Sequence, residues 1–225
     1  MSAGKVGMSR HADAIRGVEE ALLATRGDSA QDAPPALVLL FVTHEHGDPD
    51  SLMATARATV PDAPILGCVS SGVLSDAGEV EDGPCVVAMA IAGHQGDGGG
   101  VRSVHTFHVN VNGKIEYPKH SPATLPHENG VALVFPDGYS APPRVLVDAV
   151  AEALPDTPIV GSLVTGPRGL GLAIRWYADS VTTHGAVGAV LTFDAPPIIG
   201  VAHGLAPVGP VYTVTRAQDR VIAEL

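Results

Sequence analysis

Cysteine, aromatic residues and clustered positive charge are all scarce in this chain of 225 residues. The two cysteines, Cys68 and Cys85, both fall in apolar segments, which excludes a disulfide framework and is typical of small buried thiols. Lysine and arginine number 13 against 24 aspartate and glutamate, which gives a net charge of −11, and no basic run interrupts this balance. Because binding to nucleic-acid phosphates requires clustered cations, we expect no nucleic-acid partner.

Long hydrophobic runs are also missing. No apolar stretch approaches the roughly 18 residues that a membrane-spanning helix requires, and the N-terminal segment lacks the apolar core of a signal peptide. We therefore expect a cytoplasmic protein with no membrane insertion. Hydrophobic residues make up 45% of the chain, with 26 glycines, 19 prolines and only 4% aromatic residues. This composition is typical of an α/β domain with an aliphatic core and many tight turns.

The chain contains an internal repeat. Residues 36–72 align without gaps with residues 130–166, at an offset of 94, and ten of the 37 positions are identical. Composition alone would give about two or three identities. The identical pairs are Leu39/Leu133, Phe41/Phe135, Pro49/Pro143, Leu52/Leu146, Pro61/Pro155, Asp62/Asp156, Pro64/Pro158, Ile65/Ile159, Gly67/Gly161 and Gly72/Gly166. We therefore predict an internal duplication: two related halves in a mostly parallel sheet with a pseudo-twofold arrangement.

Each copy has the pattern of a β-α-β unit. An apolar run typical of a strand buried on both faces is followed by a turn, a helix and a shorter strand. The predicted elements are strands at Leu37–Val42 and Val131–Phe135, helices at about 50–60 and 143–154, and strands at Ile65–Val69 and Ile159–Val164. Pro49 and Pro143 stand in the first helical turn, where a missing N–H costs nothing, and Asp48 is predicted to cap the first helix. This order implies parallel strands joined by a right-handed crossover.

The remaining segments complete a single domain over residues 1–225. We place the first repeat at about 36–109, an irregular connector at about 110–129, the second repeat at about 130–203 and a closing strand at about 209–215. Further strands are predicted at Cys85–Ile91, Val101–Val109, Leu172–Tyr177, Ala186–Phe193 and Ile198–Ala202. An amphipathic helix is predicted from about Ser9 to Arg26, with one apolar side formed by Ile15, Val18, Leu22 and Leu23.

Two glycine-bracketed loops are the first candidate binding site. Each follows the second strand of a repeat, and ligands of parallel α/β sheets bind at the carboxyl ends of strands. Small side chains let a ligand approach the backbone, and hydroxyl groups add donors and acceptors. The candidate residues are Gly67, Cys68, Ser70, Ser71 and Gly72 in the first loop, and Gly161, Ser162, Thr165 and Gly166 in the second. The alternative is that the glycines only turn the chain.

Three further residues are candidates beside these loops. Asp137 follows the first strand of the second repeat, where its carboxylate could pair with a ligand ammonium while loop amides and hydroxyls bind a carboxylate. His203 and Gly204 follow a predicted apolar strand, so His203 is a candidate pocket residue or haem ligand, with a structural histidine as the competing interpretation. Cys68 could act as a nucleophile, but without an identified histidine partner a buried structural thiol is favoured.

The segment 44–48 contains a possible metal site. Imidazoles two residues apart in a loop after a strand can bind zinc, and His44, His46 and Asp48 partly match the H-x-H-x-D-H motif of the metallo-β-lactamase fold. Pro49 stands where that motif has its last histidine, and the second repeat has no equivalent histidines. A metal-dependent hydrolase at these three residues is one alternative. A polar loop that leads to an Asp48 helix cap is the other.

Several short motifs, in their order and spacing, resemble the FIST N-terminal domain. They are Leu39-Leu40-Phe41, Pro64 to Cys68 with Ser71-Gly72, Phe135-Pro136-Asp137-Gly138, Pro158-Ile159-Val160-Gly161, and His203 to Gly209. The resemblance covers nearly the whole chain and implies a sensory domain for small ligands, with amino acids proposed as ligands. It also implies histidine kinases or other signalling proteins as partners, and a FIST C-terminal domain in a longer chain. Some relatives bind haem and sense nitric oxide.

We therefore expect an intracellular sensory domain that binds an amino-acid-like metabolite between its two halves, without catalysis and without a resident cofactor. One alternative is a haem-binding gas sensor with a histidine such as His203 as axial ligand. The metal-dependent hydrolase and a purely structural or partner-binding role are the others. The second loop departs from the family pattern, because Ser162 stands where the family usually has a second glycine.

Overall fold

The computed structural model describes residues 4–26, 34–43, 47–94, 100–118, 125, 128–164, 173–201, 208–218 and 221–225. The strands are β1 (Gly4–Ser9), β2 (Leu37–Thr43), β3 (Ile65–Ser70), β4 (Val73–Ser75), β5 (Gly78–Val80), β6 (Val86–Ile91), β7 (Ser103–Val109), β8 (Ile115–Glu116), β9 (Gly130–Pro136), β10 (Ile159–Gly161), β11 (Arg175–Ala178), β12 (Ser180–Thr182), β13 (Ala186–Thr192), β14 (Arg216–Gln218) and β15 (Val221–Glu224). The helices are α1 (Ala14–Ala24), α2 (Pro49–Thr59) and α3 (Pro143–Ala153). None of these helices is long and apolar enough to cross a membrane.

Two sheets packed face to face form the centre of the molecule, with helices on their outer faces. The first sheet has the strand order β1-β6-β2-β3-β11-β12 and the second has β10-β9-β13-β7-β8. Helices α1 and α2 cover the first sheet through a cluster that includes Val18 and Trp176, and α3 covers the second. Leu66 and Phe135 belong to the cluster between the sheets. The predicted mixed α/β class is confirmed, in the form of four layers, α-β-β-α.

Strand β2 shows why the sequence needs continuous apolar runs. Successive side chains of a strand point to opposite faces, and β2 is covered on both. The residues that pack towards the helices are Val38, Leu40 and Val42. Those that pack towards the second sheet are Leu37, Leu39 and Phe41. A polar residue at any of these positions would lose its contact with water.

The two β-α-β units form with the same strand pairing. Strands β2 and β3 are parallel with Val38 opposite Ile65, and β9 and β10 are parallel with Ala132 opposite Ile159. Each residue of the second pair lies 94 positions after its counterpart. On its other side, the first strand of each unit pairs antiparallel with a third strand, which is β6 for β2 and β13 for β9. The parallel pairing is confirmed for both units, whereas an origin by duplication stays a prediction. The predicted mostly parallel sheet is wrong, because among the described strand pairs only β2–β3 and β9–β10 are parallel and the other pairs of both sheets are antiparallel.

Helices α2 and α3 both begin at their predicted prolines. The Asp48 carboxylate accepts hydrogen bonds from the Ser51 amide at 2.9 Å and from the Ser51 hydroxyl at 2.7 Å, so the predicted N-cap is confirmed. Pro142 occupies the equivalent position before α3 and supplies no side-chain acceptor. The two copies therefore start their helices at the same place with different chemistry.

The N-terminal segment differs from its prediction. Helix α1 begins at Ala14, where Asp13 accepts a hydrogen bond from the Arg16 amide, instead of near Ser9. The preceding residues form β1, which pairs antiparallel with β6 at the edge of the first sheet. Gly4 and Gly7 interrupt the apolar alternation of β1, so no strand pattern is visible in this segment of the sequence. Val18 is fully buried as predicted, whereas Leu23 is exposed.

Two strands pair outside the repeat to which the sequence analysis assigned them. Strand β7 closes the first copy in the prediction, but it pairs with β13 in the second sheet. Strand β11, from the second copy, pairs antiparallel with β3 in the first sheet. Local apolar patterns indicate a strand but not its neighbour, which depends on contacts distant in sequence. The two halves are therefore interleaved rather than side by side.

The C-terminal prediction was wrong within the described residues. No strand forms at 198–201 or at 208–215, where the sequence predicted one strand and the closing strand. Ile198 is 99% exposed and Val211 is 98% exposed, so neither packs against a sheet. Their β-branched side chains favour a strand, but a strand also needs a neighbour to pair with. Instead, β14 and β15 form a separate two-stranded hairpin.

Candidate functional site

A cavity of about 270 Å³ lies between the two sheets, at the carboxyl ends of β3 and β10. It brings the two predicted glycine loops together. Its lining residues in the described part of the chain are Phe41, Cys68, Val69, Ser70, Ser71, Gly72, Phe135, Ser162, Leu163 and Val164. Its volume is close to the lower end of the range for small-molecule sites, about 300 Å³.

Most of the lining consists of equivalent residues from the two repeats. The pairs at offset 94 are Phe41/Phe135, Cys68/Ser162, Val69/Leu163 and Ser70/Val164. Phe41 and Phe135 touch edge to face, with ring centroids 5.7 Å apart and an interplanar angle of 79°. This geometry is favourable for aromatic pairs and holds the two sheets together beside the cavity. Each repeat thus contributes one phenylalanine and one loop.

The first glycine of each loop has a packing role. A Cβ atom at Gly67 would stand 1.8 Å from the Leu40 carbonyl oxygen, and one at Gly161 would stand 1.8 Å from that of Val134. Such distances are impossible, so only glycine lets each strand approach its parallel neighbour this closely. The two carbonyls are themselves equivalent in the repeat. Neither glycine is among the described lining residues, so both position the loops rather than contact the cavity.

The serine hydroxyls differ in their availability. The Ser70 hydroxyl donates a hydrogen bond to the Gly72 carbonyl and so fixes the turn of the first loop. Among the described residues, the contact of the Ser162 hydroxyl is a long one, 3.5 Å, to the carbonyl of Leu163. Ser71 and Ser162 are exposed, and both line the cavity. The hydroxyls of Ser71 and Ser162 are therefore placed to replace a hydrogen bond to water with one to a ligand.

Cys68 lies on the cavity wall as a protonated thiol. It is 5% exposed, and burial raises its pKa to about 12, against a smaller opposing effect of the Arg175 charge. The thiolate is the nucleophilic form of cysteine, so this group is unreactive at neutral pH. The geometry supports the predicted structural thiol over the nucleophile.

Asp137 is fully buried, and its carboxylate is used within the fold. One oxygen accepts a hydrogen bond from the Tyr139 amide at 2.8 Å and the other accepts one from the Ser140 amide at 3.0 Å. Its own amide donates to the Gly185 carbonyl at 2.8 Å. Asp137 is not among the described lining residues. This geometry does not favour the predicted pairing with a ligand ammonium and indicates that Asp137 shapes the turn after β9.

Several predicted site residues lie outside the described residues. They are Thr165 and Gly166 of the second loop, His203 and Gly204, and His44 and His46 of the possible metal site. Asp48 is described, and its carboxylate caps α2. Among the described residues, no cluster of three or more histidine, cysteine, aspartate or glutamate side chains could hold a metal ion. No histidine lines the described cavity.

Arg175 begins β11 and is fully buried, and it was not predicted as a site residue from the sequence. Its Nη1 donates to the Gly185 carbonyl at 3.2 Å, while Nε and Nη2 have no hydrogen-bond partner among the described residues. Burial lowers its pKa to about 10, and the nearby Asp137 and Cys68 oppose that shift. A lone arginine inside the apolar run 172–177 was the available signal, because charged residues are almost never fully buried without a partner.

His108 is a second buried polar residue that was not predicted from the sequence. It lies in β7, is 6% exposed, and contacts the His184 carbonyl through Nε2 at 3.0 Å. Its Nδ1 lies 3.6 Å from a Glu116 carboxylate oxygen, and its ring stacks on Tyr177 with centroids 5.5 Å apart. This polar group joins β7 to β11 across the space between the sheets.

The fold and its cavity define a four-layer α/β domain with one small site shared by two equivalent loops. A family model of the FIST N domain matches residues 36–225, so the chain belongs to this family of sensory domains. The resemblance stated from the sequence is thereby confirmed.

The chain is similar to mycobacterial proteins that are named as uncharacterised. One protein of Mycobacterium tuberculosis strain H37Rv is 31% identical over 225 residues, which cover 98% of this chain and 55% of the relative. A protein of Mycobacterium bovis is 28% identical over 226 residues, with the same coverage of both chains. The chain thus spans about half the length of these relatives. Their names say nothing about a ligand.

Proposed function

We propose that this domain binds a small polar metabolite in the cavity between its sheets and passes the bound state to a signalling partner. The observation that carries the proposal is that both loops, at equivalent positions of the two repeats, line a single cavity of about 270 Å³. A family of sensory domains requires such a site, and this one stands at the strand ends where α/β sheets bind ligands.

The paired lining supports an origin of the site by duplication. The two units share their register, and the lining pairs Phe41/Phe135 and Cys68/Ser162 face each other across one cavity. We propose that the cavity lies on a pseudo-twofold axis between the copies. Because the two loops differ in sequence, an asymmetric ligand would then make different contacts with each of them.

We propose an amino-acid-like ligand. Aromatic and aliphatic groups such as Phe41, Phe135 and Leu163 offer an apolar surface, and the hydroxyls of Ser71 and Ser162 offer polar contacts. The volume suits a molecule of that size. A protonated thiol at Cys68 supports binding without covalent chemistry.

The signalling partner and the location are proposals as well. We propose a cytoplasmic domain that reports to a histidine kinase or a comparable signalling protein. In a longer chain, a FIST C-terminal domain would accompany it. The relatives, of which this chain spans 55%, leave room for such a second domain.

The first test is native mass spectrometry of freshly purified protein, comparing intact and denatured masses, with an absorption spectrum of the same sample. A retained mass of amino-acid size supports the metabolite sensor. A haem mass with a Soret band would replace it by the gas-sensor alternative, and stoichiometric zinc would replace it by the hydrolase at His44, His46 and Asp48.

The second test blocks the cavity from each loop in turn. The twenty L-amino acids are screened by thermal shift, and any that stabilise the protein are titrated calorimetrically. Ser162→Trp and Ser70→Phe should each abolish binding, because both loops line the same space. Glu152→Trp, on the exposed face of α3, is the matched control and should bind normally. Unchanged affinity in both cavity variants contradicts the proposal.

A further inference from the structure

Arg175 lies beside the cavity and between the sheets. It stands directly opposite Cys68 in the antiparallel pair of β11 and β3. Side chains of directly opposed residues point to the same face of a sheet, and Cys68 belongs to the cluster between the sheets. The Arg175 charge also lowers the pKa of the Cys68 thiol, which places the guanidinium close to it. Cys68 lines the cavity and Arg175 is not among the described lining residues, so Arg175 lies next to the wall that Cys68 forms.

The two unpartnered nitrogens of Arg175 form one recognition edge. In a guanidinium group, the Nε–H and one Nη2–H point in parallel and match the two oxygens of a carboxylate. The third nitrogen, Nη1, is held by the Gly185 carbonyl at 3.2 Å, which fixes the orientation of the group. Nε and Nη2 are the buried donors that lack a partner among the described residues. Within the part of the chain that the structure describes, the edge that binds carboxylates therefore has no partner.

No described acidic side chain satisfies this charge. Asp137 is near enough to favour the charged form of Arg175, but both of its oxygens accept backbone amides and none lies within ion-pair distance. The described lining of the cavity has no charged side chain at all. A buried cation without an anionic partner is strongly unfavourable, because it loses its hydration without compensation. A charge in this position is typical of a functional site.

We propose that Arg175 binds the carboxylate of the ligand, through Nε and Nη2, and so restricts the cavity to small carboxylates with an apolar body. This inference rests on the proposed function. It specifies that the ligand carries a carboxylate and that Arg175 is the residue that binds it. Cys68 is the wall residue next to Arg175, and its short side chain can change rotamer to let the carboxylate approach. The apolar body then lies against Phe41 and Phe135.

The test compares each L-amino acid with its carboxamide, which has the same body but no negative charge; L-leucine and L-leucinamide are one such pair. For the amino acid that stabilises the protein best, the carboxamide should bind at least about 10-fold more weakly. Arg175→Lys keeps the charge but loses the two-donor edge, and should weaken binding of the amino acid by a similar factor. Arg57→Lys is the matched control, because Arg57 also donates to backbone carbonyls and has a buried unpartnered Nε.

A second readout does not depend on a variant that folds. The Nε–H resonance of Arg175 in a ¹H–¹⁵N spectrum, assigned in the wild-type protein by through-bond correlation with its side-chain carbons, should shift when the amino acid binds. Equal affinity for amino acid and carboxamide, with an unmoved Nε resonance, overturns this inference and leaves the proposed function standing. If no amino acid, carboxamide or other neutral metabolite binds at millimolar concentration, the proposed function fails and the inference fails with it.

Discussion

The two loops at the cavity come from equivalent sequences but have different surroundings. Strand β3, which leads to the first loop, has six residues and pairs on both sides, with β2 and β11. Strand β10, which leads to the second, has three residues and lies at the edge of its sheet. As a result Cys68 is 5% exposed, whereas its counterpart Ser162 is exposed. The repeat determines the local path of the chain, and the neighbouring strand determines how deeply each copy is buried.

Strand β11 is the source of this asymmetry. It comes from the second copy and joins the first sheet, where it adds Arg175 towards the cavity and Trp176 towards the helices. The Trp176 indole donates a hydrogen bond to the Leu40 carbonyl at 2.9 Å. No tryptophan stands beside Val134, the equivalent residue, because the chain has only one. The first loop is thus the fixed wall of the cavity and the second is the wall with fewer restraints.

The largest effect should come from adding a methyl group to the first glycine of each loop. At Gly67 the new Cβ would stand 1.8 Å from the Leu40 carbonyl oxygen and 2.7 Å from Trp176 Nε1, with strands on both sides. We expect Gly67→Ala to lower the free energy of unfolding by about 3 kcal/mol. Gly161→Ala has the same backbone clash, but β10 can move outward, so about 1 kcal/mol is expected.

Chemical denaturation monitored by circular dichroism measures both values. Gly200→Ala is the control, because a Cβ there would meet nothing within 4 Å, and its effect should be within about 0.5 kcal/mol. Equal losses at positions 67 and 161 would contradict the idea that the sheet edge relieves the second copy.

Trp176→Phe should sharpen the comparison by removing the bond that only the first copy has. The ring is kept, but the Leu40 carbonyl loses its 2.9 Å indole donor in a buried setting. We expect a loss of about 1–2 kcal/mol in the free energy of unfolding, from denaturant titration. Tyr177→Phe, which removes a half-buried hydroxyl on the opposite face, should cost less. A larger loss for Tyr177→Phe would show that the indole bond is not the main contact.

The repeat was enough to predict the β-α-β units. Continuous apolar runs, helix-starting prolines and the Asp48 cap are local signals, and the elements formed within about two residues of their predicted bounds, except that β10 ends at Gly161 instead of the predicted Val164. The neighbour of β7 and the crossing of β11 depend on pairing between distant segments, which no local pattern encodes. The strand predicted at Ile198–Ala202 failed for the same reason, since Ile198 has strand propensity but no partner strand.

The candidate site was predictable in position and less so in chemistry. Duplicated glycine loops at strand ends indicated where a shared cavity would lie, and in the structure both loops line one cavity. The identity of Phe41 and Phe135 in the repeat was a usable signal that the sequence analysis read only as strand. Asp137 was predicted to bind a ligand from its position after a strand, whereas the amides of Tyr139 and Ser140 that occupy its carboxylate depend on the turn geometry, which the sequence does not show. Arg175 became a candidate only when its burial and its free donors were known.

Exchanging the paired residues Cys68 and Ser162 should have a modest and unequal effect. Cys68→Ser places a hydroxyl between the sheets and should lower the free energy of unfolding by about 1 kcal/mol near pH 7. Ser162→Cys changes an exposed side chain and should leave the free energy of unfolding nearly unchanged. The difference in unfolding free energy between the wild type and Cys68→Ser should become smaller above pH 9. The pKa of the wild-type thiol rises from 9.0 to about 12 on folding, so its unfolded form ionises first and wild-type stability decreases with rising pH.

Denaturant titrations of wild type and Cys68→Ser at pH 7, 9 and 10 measure that trend. The difference between them should shrink by about 1 kcal/mol from pH 7 to pH 10. A constant difference would mean that the thiol is not held protonated. Ellman's reagent gives an independent check, since the folded protein should leave Cys68 unmodified at pH 8.

The smallest effect concerns the helix caps, where α2 has Asp48 and α3 has Pro142. Hydrogen bonds from the Ser51 hydroxyl and amide lower the pKa of Asp48 below its usual value. A depressed folded pKa stabilises the protein above the unfolded pKa of about 3.9, and that contribution is lost as the pH falls through the folded value. Asp48→Asn keeps an acceptor but does not titrate, so its melting temperature should be slightly below that of the wild type at pH 7 and should approach it at pH 2–3. A gap that stays constant down to pH 2 would show that the charge of Asp48 adds nothing to the cap and that the two helices differ only in having an acceptor.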